Sequence, residues 1–104
     1  MKRGEVWWAN VNKPVGRRPV VLLSRDAAYA VRESVTVAPV TRTIHDVPVE
    51  VRLGRSDGLP TECVANLDSI LTVSKTDLDR VLTTLLPAKM PPVDQAIKFA
   101  LNLH

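Results

Sequence analysis

At 104 residues the chain makes one domain and has no room for a second. A single cysteine, Cys63, cannot form an intramolecular disulfide, which excludes a disulfide scaffold and points to a reducing compartment. The net charge of +3 is unevenly spread: residues 1–55 hold ten Lys and Arg against five acids, residues 56–104 four against six.

With a sequence pI near 9.4, that asymmetry favours a polyanionic ligand for the first half. No window approaches the ~18 unbroken apolar residues of a membrane helix. Met1-Lys2-Arg3 runs into Gly4-Glu5 rather than an apolar stretch, so no secretory leader is expected and a cytoplasmic location is.

Gly4 to Asn10 alternates loosely and predicts a first strand with Trp7 and Trp8 on opposite faces, one toward the core and one free to stack. Asn, Pro and Gly cluster over Val11 to Gly16 and predict a turn. Pro19 to Ser24 (P-V-V-L-L-S) reads as a strand buried on both faces, with Arg17 and Arg18 at its mouth. About one helical turn is expected around Arg25 to Tyr29, then a strand from Ser34 to Thr41 ending in Thr41-Arg42-Thr43.

Val47 to Leu53 alternates cleanly and predicts a half-exposed strand, placed at an edge because Pro48 cannot donate to a ladder. Gly54 to Pro60 reads as a flexible loop and Glu62 to Leu67 as a strand that continues or bends through Val73. Ser74 or Thr76 can cap a short turn, and the apolar run within Asp79 to Leu86 favours a strand over a helix. Pro91-Pro92 open a terminal helix, with Val93, Ile97, Ala100 and Leu101 on one face and Ala96, Phe99 and Leu103 on a second. Two apolar faces suggest two neighbours, the chain's own sheet and another subunit. Five or six short strands with one late helix make a mainly β, small antiparallel barrel.

Few residues offer chemistry. His45-Asp46, Cys63 and His104 lack metal-ligand spacing, so no metal is expected; without a Gly-x-Gly-x-x-Gly or Walker loop, no nucleotide cofactor is either. Cys63 reads as a small packing residue at a strand start. Arg17 and Arg18 are either solvated strand-end residues or a phosphate clamp, for which the guanidinium fork is well shaped. Thr41 and Thr43 either close a strand or hydrogen-bond a phosphoryl oxygen beside those arginines. Asp68 is a turn cap, an ion-pair partner or a working acid. The residues alone lead to a basic small barrel that binds RNA or DNA.

Four short segments go further. Lys2-Arg3-Gly4-Glu5-Val6-Trp7-Trp8, Arg18-Pro19-Val20-Val21-Leu22-Leu23-Ser24, Val37-Ala38-Pro39-Val40-Thr41 and Asn66-Leu67-Asp68-Ser69-Ile70-Leu71-Thr72-Val73 resemble, in order and spacing, the MazF/PemK (Kid) family of bacterial toxin endoribonucleases. The resemblance implies an SH3-like barrel with a C-terminal helix, a homodimer, and metal-independent cleavage of single-stranded RNA that leaves a cyclic phosphate and a 5′-hydroxyl. It places the catalytic Arg at Arg18, the catalytic Thr at Thr41 and an acidic position at Asp68. Trp8, Arg17, Arg42, Thr43 and Asn66 become candidates for holding splayed bases and backbone. It also implies a MazE-like antitoxin whose disordered tail covers the RNA groove. The chain departs from the pattern in its short Asn12–Gly16 loop and in Leu71, where the family carries an Arg. Two alternatives remain: a gyrase-directed toxin of the CcdB type on the same barrel, and a nucleic-acid-binding barrel without catalysis.

Overall fold

The computed structural model describes residues 1–11 and 16–104, so the predicted turn at 11–16 lies almost wholly outside the described residues. Seven strands form one antiparallel sheet: β1 (Glu5–Val11), β2 (Gly16–Leu22), β3 (Ser34–Thr41), β4 (Glu50–Leu53), β5 (Cys63–Asn66), β6 (Leu71–Ser74) and β7 (Leu78–Thr84). Helix α1 (Ala28–Val31) is one turn, and α2 (Met90–Ala100) closes the chain. The strand order is β4-β5-β3-β2-β1-β7, with β6 pairing β3 beside β5. The expected mainly β architecture with a C-terminal helix is what forms. Among the described residues no ladder joins β4 to β7, so the sheet stays open and the SH3-like barrel describes it loosely.

The aliphatic run of β2 explains the layering. Val21 and Leu23 face one core, with Val6, Ala38, Val40, Val51, Leu53, Cys63, Ala65, Leu67 and the α2 residues Val93 and Ala96. Val20 and Leu22 face a second, smaller core with Ala9, Tyr29, Val35, Val37, Val73 and Leu78. A strand buried on both sides needs consecutive rather than alternating apolar residues, which is what Val20-Val21-Leu22-Leu23 supplies. Alternation in β1 splits the tryptophans as expected: Trp7 packs on the second core, whereas Trp8 is half-buried at the edge of a surface cleft.

Four expectations need correction. The described residues form seven strands rather than five or six, because the segment after Asn66 breaks into a 3-10 turn (Leu67–Ser69) before β6. The strand expected over Val47 to Leu53 begins only at Glu50, since Glu50 N–H donates to the Val47 carbonyl at 2.9 Å and closes a turn around Pro48; it does lie at a sheet edge. The loop after Leu53 is organised as a 3-10 turn, Arg55–Asp57, around the buried Asp57 carboxylate, which accepts Gly54 N–H at 2.9 Å and lies 3.5 Å from Lys89 Nζ. In α2, Ala96 turns inward beside Val93, while Phe99, Leu101 and Leu103 are left exposed at 63%, 57% and 56%. The helix ends at Ala100, so Leu101 and Leu103 leave its buried stripe.

A candidate nucleic-acid cleft

The β2–β3 ladder builds the centre of the site. Val20 pairs with Pro39 in antiparallel register, and that register continued two residues sets Arg18 of β2 opposite Thr41 of β3. Both belong to the sheet face that carries the second core, at the point where its aliphatics give way to polar residues. Neighbouring strands extend this face: Asn66 of β5 pairs with Glu50 of β4. Arginine and threonine therefore arrive on paired strands, which hold a mutual geometry far better than a loop does.

Two hollows meet at this pair. The first, about 530 Å³, is lined by Trp8, Arg17, Arg18, Thr41, Arg42 and Thr43, with Leu59-Pro60-Thr61 and Cys63 on the opposing wall. The second, about 360 Å³, shares Arg18, Thr41 and Thr43 and adds His45, Glu50, Asn66, Ser69 and Leu71. A third, about 420 Å³, adjoins it through His45, Glu50, Asn66 and Ser69, and it contains Asp68. The hollows make one groove across the sheet, basic at the tryptophan end and acidic at the far end.

The hydrogen bonds suit an anionic chain. Thr41 Oγ1 accepts Thr43 N–H at 3.2 Å, which leaves the hydroxyl proton available for an outside oxygen. Arg17 lies over the Trp8 ring, 4.7 Å from its centroid, and pairs with Asp79 at 2.6 Å. The arginine is thus held over an aromatic platform. Asn66 Oδ1 accepts Asp68 N–H at 2.9 Å, so its amide protons remain to donate. Cys63 is buried in the floor; burial raises its thiol pKa, Glu62 and Asp57 raise it further, and it therefore stays protonated. Among the described residues no three His, Cys, Asp or Glu side chains gather into a metal-sized cluster. No helix among them is long and apolar enough to cross a membrane.

The structure brings Trp8, Arg17, Arg18, Thr41, Arg42 and Thr43 into one hollow and joins Asn66 to them through the second. Asp68 stands apart: it borders the third hollow and does not line either hollow that holds Arg18 and Thr41. His45, Glu50 and Ser69 line the groove without having been singled out for it, and so do Leu59-Pro60-Thr61. Alternation within β4 could have placed Glu50 on the polar face. His45 offered no such signal, because it reaches the site through a loop rather than a ladder.

Residues 2–101 match the profile of the family described as PemK-like, MazF-like toxin of type II toxin-antitoxin system. The probable endoribonuclease MazF5 of Mycobacterium tuberculosis is 42% identical over 101 residues, covering 96% of this chain and 92% of that one. The endoribonuclease MazF of Staphylococcus saprophyticus is 34% identical, covering 100% and 93%. Among solved structures, the Mycobacterium tuberculosis toxin MazF-mt6 superposes with a TM-score of 0.90 at 30% identity, covering 96% and 98%. An endoribonuclease in complex with its cognate antitoxin, from a mycobacterial species, does so with a TM-score of 0.88 at 31% identity, covering 100% and 97%.

Proposed function

The chain belongs to the PemK-like, MazF-like toxins of type II toxin–antitoxin systems, and from that premise we propose that it is an endoribonuclease cutting single-stranded RNA in the groove centred on Arg18 and Thr41. The observation that carries the reading is the placement of those two residues on paired strands between a basic, aromatic hollow and a polar one.

Cleavage by the RNA's own 2′-hydroxyl forms a bond from O2′ to phosphorus and breaks the bond to O5′, leaving a cyclic phosphate and a 5′-hydroxyl. The phosphorane between them carries extra negative charge. Arg18 supplies a fixed positive fork against it, and the Thr41 hydroxyl donates to a phosphoryl oxygen. Trp8 takes an unstacked base on one flank, with Arg17, Arg42 and Thr43 toward the backbone. On the other flank Asn66 presents amide protons to a base edge, and Asp68 acts as the acidic position one hollow farther on. A MazE-like antitoxin with an acidic, disordered tail suits the same basic groove. The working unit is a homodimer, for which the exposed Phe99, Leu101 and Leu103 leave apolar surface at one end of the fold.

Purified protein incubated in EDTA with a long single-stranded RNA tests this. The wild type is expected to make discrete cuts with cyclic-phosphate ends. Arg18→Ala and Thr41→Ala are expected to lose them by roughly 10²-fold or more while melting normally, and Asp68→Asn to weaken them. RNA left intact by the wild type, as a gyrase-directed toxin or a plain binder would leave it, would falsify the assignment. Sedimentation tests the dimer, which requires twice the 11.5 kDa chain mass.

A further inference from the structure

Transfer of the 2′-hydroxyl proton needs a group that can accept it, and guanidinium is a poor one because it holds its proton too firmly. A base must also reach the reacting atoms. Asp68 lies in the neighbouring hollow; two other titratable side chains, His45 and Glu50, border the polar hollow with Arg18 and Thr41, and Glu50 Oε1 is already engaged by two backbone N–H groups. Imidazole is the side chain that both takes and gives a proton near neutral pH.

The loop that carries His45 is built to hold it. Glu50 Oε1 accepts the backbone N–H groups of both His45 and Asp46, each at 2.9 Å. Asp46 adopts a left-handed φ of 53°, unusual for a residue with a side chain, and its carboxylate pairs with Arg52 at 3.3 Å. At the near end, Thr43 N–H is tied to the Thr41 hydroxyl oxygen. The loop is therefore anchored to β4 at one end and to the proposed catalytic threonine at the other. The His45 side chain itself is exposed over the groove, open to a substrate.

Resting on the nuclease reading, we propose that His45 is a catalytic residue of the RNA cleavage, the general base that takes the proton from the attacking 2′-hydroxyl. The O2′–phosphorus bond forms as that proton passes to the imidazole ring, the phosphorus–O5′ bond breaks, and water supplies the proton that O5′ takes up. The hollows that His45 borders are lined as well by Arg18 from β2, Glu50 from β4 and Asp68 from the turn after β5, while Thr41 at the end of β3 and Thr43 just beyond it bring hydroxyls. Asp46 is engaged with Arg52. Glu50 is a positioning residue, acting through the two N–H groups it holds.

The test is single-turnover cleavage of an RNA oligonucleotide across pH 5 to 9 by the wild type, His45→Ala, His45→Gln and Arg18→Ala, with folding checked by circular dichroism. The wild-type rate is expected to rise as the pH is raised. His45→Ala and His45→Gln are expected to lose that rise and about 10²- to 10⁴-fold in rate, with part of the loss in His45→Ala restored by added imidazole. If folded His45 variants cut at the wild-type rate with the same pH profile while Arg18→Ala is inactive, the His45 assignment is overturned and the nuclease reading stands. If wild type does not cut, the nuclease reading itself falls. A wild-type rate that falls with pH through the same range, with the fall abolished in His45→Ala, also overturns the base role, since the ring would then be giving its proton away.

Discussion

Tyr29 shows how one residue ties the fold to pH. It is buried in the second core, and its hydroxyl donates to the Ser24 carbonyl at 3.0 Å. Burial, helped by the nearby Asp26 carboxylate, pushes its pKa up from 10.0 to about 12. The folded state therefore keeps a proton that the unfolded chain gives up. The stability that this contributes is complete below pH 10 and is lost as the pH climbs through 12, roughly 2–3 kcal/mol in all. Tyr29→Phe gives up the hydroxyl's hydrogen bond, about 1 kcal/mol at pH 8, but it has no proton to lose. The wild type's advantage in melting temperature is expected to vanish and then reverse between pH 9 and pH 12, because the stability lost exceeds the hydrogen bond's contribution. A constant difference over that range would show that the phenol is not held neutral by the fold. At this scale the sequence exposes what lies on strands and conceals what lies on loops. Arg18 and Thr41 stand out because each ends an aliphatic strand, where a polar residue must emerge at the sheet's rim. His45 could not be placed from its neighbours, because its position depends on the Glu50 carboxylate gathering two backbone N–H groups from the preceding loop.

Among the elements, the segment from Gly54 to Thr61 supplies the Leu59-Pro60-Thr61 side of the first hollow, and its order comes from partners distant in sequence. Asp57 is pinned by Gly54 N–H and approached by Lys89, and its carbonyl accepts the Thr83 hydroxyl at 3.1 Å. Gly58 sits at φ 89°, where a Cβ atom would run into Thr83 Oγ1. A string of Gly, Ser, Asp and Pro reads as flexible for good local reasons; what overrides it is β7 and the start of α2 closing over the turn. Gly58→Ala adds left-handed backbone strain to a collision and is expected to cost about 2 kcal/mol or more. Thr83→Ala in the same chain takes away the Oγ1 and Cγ2 contacts but keeps its own Cβ at 2.7 Å, so it relieves part of the collision and none of the strain. The double variant should therefore lie above the sum of the two single losses, read from chemical denaturation as a double-mutant cycle. Strict additivity would mean the turn simply moves away. The terminal helix was legible for the converse reason. Its Pro-Pro start and its Val93 and Ile97 spacing are local signals; the inward turn of Ala96, decided by packing against the sheet, and the exposure of Leu101 and Leu103 beyond the helix end at Ala100 were not.

For the molecule as a whole, the charge asymmetry seen in the sequence becomes a field with a direction. Arg17, Arg18 and Arg42 all line the first hollow, while Glu50 and Asp68 border the far end of the groove. A single strand of RNA lying along it displaces counterions mainly at the basic end. With three arginines on phosphates, the logarithm of the affinity is expected to fall with the logarithm of salt at a slope of about −2, at ~0.7 per contact on a single strand. The measurement uses an oligonucleotide carrying a 2′-deoxy sugar at the cut site, which binds without being cleaved. Arg17 begins from a different state than Arg42, because its guanidinium is already paired with Asp79 at 2.6 Å. Any phosphate that reaches it must displace that carboxylate, so part of its charge is spent before RNA arrives. Arg42→Ala should then flatten the slope by nearly a full contact and Arg17→Ala by less. Asp79→Asn, which releases Arg17, should steepen it and tighten binding several-fold. Binding unchanged by Asp79→Asn would mean that Arg17 keeps its place over Trp8 without meeting the backbone, serving the base instead.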